Sequence, residues 1–179
     1  MPHIDLDNDQ PGIRGLMAHR PDTAAPLGQL AETLLRSPLS LERGERELIA
    51  AYTSHLNSTP YCALSHGAFA AAQLEEGHDL VDAVLADPDT APITPRLRAL
   101  LRIAAEVRGP VRPVAPETVA AARAAGADDR QIHDTVLIAA AFCMFNRYVT
   151  GLDTELPEDP GYFDEAAKLI TTRGYTGRG

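Results

Sequence analysis

Cys62 and His66 stand four residues apart, and Glu47 precedes them across a short polar turn. A thiol, an imidazole and a carboxyl are the groups from which a nucleophile, its base and the acid that orients the base can be assembled. Asn57-Ser58-Thr59-Pro60, between them, cannot be helix interior: proline has no amide hydrogen and restricts the residue before it, while Asn and Ser favour turns. The stretch from Glu47 to His66 therefore predicts helix, turn, helix. Thr59 suits an N-cap and Pro60 the first helical position, which places Cys62 in the first turn of the second helix. Free amide hydrogens and the positive end of the helix dipole favour an anion there. The spacing thus predicts a thiol titrating below its ordinary value of about 8.5. His66, at i+4 from Cys62, shares its helix face at about 5–6 Å between Cβ atoms, near enough to exchange a proton. Glu47 adjoins the apolar run Leu48-Ile49-Ala50-Ala51, surroundings that raise a carboxyl and suit it to carrying a proton.

Each residue also has a plainer reading. A cysteine in an alanine-rich helix is commonly a small hydrophobe, and Cys143 reads first as packing, with resolution of an oxidised Cys62 as the alternative. Glu47 ends the run Glu42-Arg43-Gly44-Glu45-Arg46-Glu47, which by itself describes a solvated face. Thr59 is accounted for as a cap that lines the site. Tyr61 either hydrogen-bonds a substrate or packs. One Cys–His pair does not make a zinc site, and no second pair stands at a suitable interval, so neither a metal nor another cofactor is expected.

The pattern Glu47, a helical run, then Asn57-x-x-Pro60-Tyr61-Cys62-x-x-x-His66 resembles the active-site signature of the alkylhydroperoxidase D and carboxymuconolactone decarboxylase superfamily, in particular its peroxidase-related branch. Asn146-Arg147 resembles the Asn-Arg that closes a long helix in that branch, extending the likeness from about residue 40 to about 155. The resemblance implies a Cys-x-x-Cys redox pair with a His and a Glu as its proton relay. Here the second Cys falls on Cys62, the His on His66 and the Glu on Glu47, but the first Cys falls on Thr59. It also implies a homo-oligomer with sites near subunit contacts. Without a sulfur at position 59 the motif cannot close its own disulfide, so the expected function is peroxide reduction through the single Cys62 thiolate, completed by an external thiol reductant, with Cys143 the one candidate within the chain. Two alternatives stand beside it. One is a non-redox enzyme in which Glu47 and His66 move protons on a small organic acid; the other is a catalytically silent ligand-binding oligomer.

The chain has 179 residues, a net charge of −9, no Trp, and only two Cys about eighty positions apart. That size suits one domain, and the acidic balance argues against nucleic acid or an anionic membrane as partner. Two distant thiols make no disulfide framework, which points to a reducing, cytoplasmic compartment. No signal-peptide pattern opens the sequence, and the longest apolar run, Val136 to Phe145, is far short of the roughly 20 residues that span a bilayer.

Positioning these groups falls to helices. Residues 1–24, with three prolines, read as an extended or flexible arm; 25–171 as a helical domain; 172–179, rich in glycine, as a flexible tail. Starts are expected at Ser40, Thr59-Pro60, Thr94-Pro95, Pro116 and the Asp128/Gln131 capping box. No stretch alternates with period two, so the fold class is an all-α bundle of seven to eight helices. Val136 to Phe145 is apolar all round and needs neighbours on every side, some of them from a second subunit. Residues 47–57 and 136–146 also align without gaps, matching at Leu, Ile, Ala, Ala and Asn, so that Asn57 lies over Asn146.

Overall fold

In the computed structural model, which describes residues 2–159 and 161–176, the described residues contain helices and no strand. In chain order these are α1 (Gly12–His19), α2 (Pro21–Arg36), α3 (Arg43–Leu56), α4 (Pro60–Ala71), α5 (Gly77–Ala86), α6 (Pro95–Arg108), α7 (Pro116–Ala124), α8 (Asp129–Gly151) and α9 (Tyr162–Arg173). The all-α expectation holds, with nine helices among the described residues rather than seven or eight.

The centre of the bundle is α3, buried without a break from Gly44 to Ser54. Alanine at positions 50 and 51 lets neighbouring backbones come close, and α4, α6 and α8 all pack around it. Its start is set by a reciprocal capping box between Glu42 and Glu45, not by Ser40. The Ser40 hydroxyl instead donates to Asp134 on α8, at 2.6 Å. Arg46 is 3% exposed and donates to the backbone carbonyls of Leu34 and Ser37, satisfying the otherwise unpaired end of α2. The second half of the charged run, Glu45 and Arg46, is therefore structural and buried with Glu47, while Glu42 and Arg43 stay exposed.

The N-terminal segment differs from its expectation. Helix α1 forms where an extended arm was expected, because Pro11 precedes it and Pro21 opens α2, positions where proline starts a helix rather than breaks one. Burial of Leu6 and Leu16 fastens the arm, and backbone bonds from His3 to Leu152 and from Gly12 to Glu155 tie it to the segment after α8. Gly12 has φ +58°, and a Cβ there would lie 2.2 Å from the Tyr61 ring. Gly12→Ala is therefore expected to destabilise the fold by about 1–3 kcal/mol in urea unfolding, from the left-handed backbone and the displaced ring together. Unchanged stability would show that the arm does not depend on this contact.

The tail departs from expectation as well. Arg36 donates to the carbonyls of Ile170 and Thr171, Gly174 turns the chain at φ +75°, and the Tyr175 amide donates to Glu32 at 2.7 Å. Residues 172–176 are thus pinned to α2, and 177–179 lie outside the described residues. Helix α8 buries Ile138, Phe142 and Phe145 but leaves Leu137 and Met144 more than two-fifths exposed, so within one chain its apolar circumference is not fully covered. No helix among the described residues is long and apolar enough to cross a membrane.

Candidate active site

The helix–turn–helix places its three groups as the spacing demands, with one difference in environment. Glu47 projects from the middle of α3 and has no exposed surface. His66, one turn beyond Cys62 on α4, directs Nδ1 to Glu47 Oε2 at 2.6 Å. Tyr175, from the C-terminal segment, donates its hydroxyl to the other carboxyl oxygen, Oε1, also at 2.6 Å. Both oxygens of a fully buried acid are thus occupied, which is what allows it to be buried at all. The imidazole is held edge-on by Phe142, with ring centroids 4.5 Å apart, and by Phe69, while Tyr175 stacks nearly parallel at 16°. With Nδ1 on the carboxyl, Nε2 is the nitrogen free to act on a ligand, and it has no protein partner among the described residues.

Cys62 sits in the first turn of α4, yet its thiol is pushed up to about 11 rather than down. Burial is the cause: the residue is 4% exposed within a cluster that includes Tyr61, Phe69, Val149, Phe163 and Ile170. A hydrogen bond with Asn146 pulls weakly the other way. Removing the thiolate from water raises the thiol, against the expectation of a low-titrating one. At rest, Cys62 is a neutral thiol. Asn146 in turn donates to Ser54 and accepts from Asn57, each at 2.9 Å, and Asn57 also reaches the Cys143 sulfur at 3.6 Å. The two asparagines that align in the sequence match are thus bonded to each other, and each also bonds one of the two thiols.

Cys62, His66 and Tyr61 border one cavity of about 860 Å³, whose remaining wall comes from α1, α2, α8, the end of α9 and Tyr175. Tyr61 packs edge-on against Phe163, and burial raises its phenol. Thr59 does not fill its expected role. Its side chain makes no cap hydrogen bond; the hydroxyl lies 3.3 Å from that of Thr150, and the residue is not part of the cavity wall. Glu47 is likewise behind the wall, reaching the cavity only through His66 and Tyr175. Asn146 was recognisable in sequence through its alignment with Asn57. Tyr175 was not, since it reaches Glu47 across 128 residues from an end that reads as tail.

Comparison with known proteins agrees with this arrangement. The model of the carboxymuconolactone decarboxylase family matches residues 21–106, which span the Glu47–His66 motif. Among solved structures, an alkylhydroperoxidase AhpD core, an uncharacterized peroxidase-related protein from Ralstonia eutropha JMP134, is 29% identical with a TM-score of 0.76, covering 86% of this chain and 79% of its own. An uncharacterized peroxidase-related protein from Silicibacter sp. TM1040 shares the fold at 24% identity and a TM-score of 0.74, over 83% of this chain and 77% of its own. No protein of curated function matches the sequence. Residues 21–106 thus resemble the carboxymuconolactone decarboxylase family, and the helical fold is similar to that of the alkylhydroperoxidase AhpD core.

Proposed function

We propose that this protein reduces hydroperoxides through Cys62 alone, with His66 as the base that takes the thiol proton and Glu47 as the acid that orients His66. The observation that carries the reading is the 2.6 Å bond between Glu47 and His66 Nδ1, which leaves Nε2 free on the side chain one turn from the sulfur. Because the resting thiol is neutral, deprotonation belongs to the reaction itself and not to the ground state. His66 takes the proton as the sulfur attacks the outer peroxide oxygen. The O–O bond breaks, the alcohol leaves with the proton returned by His66, and Cys62 is oxidised to sulfenic acid. An external thiol then attacks the sulfenic sulfur, releasing water and forming a mixed disulfide. A second external thiol releases Cys62 and completes the turnover. Thr59 cannot take the place of the internal partner. We expect a homo-oligomer, with the exposed Leu137 and Met144 on α8 as part of a subunit contact.

The raised thiol favours a second reading, in which His66 and Glu47 move a proton on an organic acid and Cys62 only lines the site. One experiment separates the two. Protein treated with a hydroperoxide in the presence of dimedone, a trap for sulfenic acid, is expected to carry a single adduct on Cys62 by peptide mass spectrometry. The adduct should fall strongly in His66→Ala. Its absence, at peroxide concentrations that oxidise a free thiol, would overturn the peroxidatic role and leave proton transfer.

A further inference from the structure

The residues bordering the cavity include Arg14 and Arg173 and no Asp or Glu. In a chain with 25 acidic and 16 basic residues, a large cavity with no acidic side chain in its wall among the described residues is a local reversal of charge. Arg20, Arg36, Arg96, Arg102 and Arg123 each form an ion pair, whereas neither Arg14 nor Arg173 has a carboxyl partner among the described residues. Glu47 does not neutralise them, since both of its oxygens are taken behind the wall by His66 and Tyr175. Elsewhere the wall is largely apolar, with Ile13, Met17, Phe69, Phe145 and Leu169 contributing. Its volume lies in the range of small-molecule sites, about 300–1,000 Å³.

We propose that this cavity selects an amphipathic monocarboxylic acid, its carboxylate held by Arg14 and Arg173 and its apolar body lying along the wall toward Cys62 and His66. This deepens the peroxide reading, on which only its last step rests: the substrate is then a hydroperoxide of such an acid, reduced to the hydroxy acid. Guanidinium suits the task because its planar fork binds a carboxylate through two parallel hydrogen bonds and is less strongly hydrated than an ammonium. Both arginines stand on segments read from sequence as arm and tail edge, α1 and the end of α9, so the anion subsite exists only when those segments close over the motif.

Isothermal titration of the intact, reduced protein with decanoate and with 1-decanol tests this without any peroxide. Charge-assisted bonds of about 1.5–3 kcal/mol predict decanoate binding at least about tenfold tighter than decanol. That preference should collapse in the double variant Arg14→Gln/Arg173→Gln, with decanol affinity unchanged. It should survive in Arg102→Gln, whose arginine is paired with Asp89 at the surface. In wild type, raising salt from low to high should weaken decanoate alone, a readout that needs no variant. Equal affinity for acid and alcohol, no binding of either, or an undiminished preference in the double variant would overturn the proposal. Its failure is distinguishable from that of the peroxide reading. Acid preference with no Cys62 sulfenic acid sinks only the latter, and sulfenic acid formed equally from acidic and neutral hydroperoxides sinks only the former.

Discussion

Glu47→Ala is expected to lower folding stability by about 3–5 kcal/mol, measured by urea unfolding, because it removes the fully buried acceptor shared by His66 and Tyr175. The carboxyl is fully buried and bonded to both His66 and Tyr175, so the substitution takes a hydrogen bond from each and leaves a void behind the imidazole. Glu47→Gln keeps the volume and one acceptor oxygen, and its loss should be nearer about 1–2 kcal/mol. Its amide cannot accept from the Tyr175 hydroxyl and His66 Nδ1 together, so the imidazole loses its fixed orientation although the fold persists. A Glu47→Ala protein as stable as wild type would show that His66 and Tyr175 find other partners, and the relay geometry would lose its basis.

The second large effect concerns the rate at which Cys62 reacts. A thiol pushed up to about 11 is ionised at pH 7 to roughly one part in ten thousand, against about 3% for a free thiol near 8.5. Iodoacetamide should therefore alkylate Cys62, followed in a Cys143→Ser background, about 300-fold more slowly than free cysteine at pH 7. Its rate should keep climbing tenfold per pH unit toward pH 11 instead of levelling off near 8.5. The same shift is a statement about stability. The folded state holds the thiol proton more tightly than the unfolded chain, whose thiol titrates near 9.0, so this contribution is fully present below pH 9. It is lost as pH rises from 9 to about 11, by about 3 kcal/mol in total. The difference in unfolding free energy between wild type and Cys62→Ala isolates it from the other groups that titrate at alkaline pH. An alkylation rate that reaches its plateau below pH 8 would mean a standing thiolate, and burial would no longer be the dominant influence on the site.

Those two expectations rest on features that were unequally visible beforehand. The pairing of Glu47 with His66 follows from local rules: a Pro60-started helix, an i+4 spacing, and an acid beside an apolar run. Local geometry also carried Cys62 into the first turn of α4. What surrounds that turn is not local. Burial set the sign of the thiol shift, and Val149, Phe163 and Ile170, brought from α8 and α9, belong to the cluster that buries it. The same holds for Thr59, a sound cap by type whose hydroxyl was taken instead by Thr150 from α8.

By itself, then, the sequence determined the helical class, the α3–turn–α4 unit and the order of its reactive groups, because capping, proline placement and 3.6-residue periodicity act over a few neighbouring positions. Only the tertiary structure decided that the thiol rests neutral, that Tyr175 joins His66 on the buried carboxyl, and that α1 and the C-terminal segment wall a cavity with no acidic side chain among the described residues. Desolvation and charge environment depend on which distant segments close over a group, and contacts spanning more than a hundred residues leave no periodic trace in the chain.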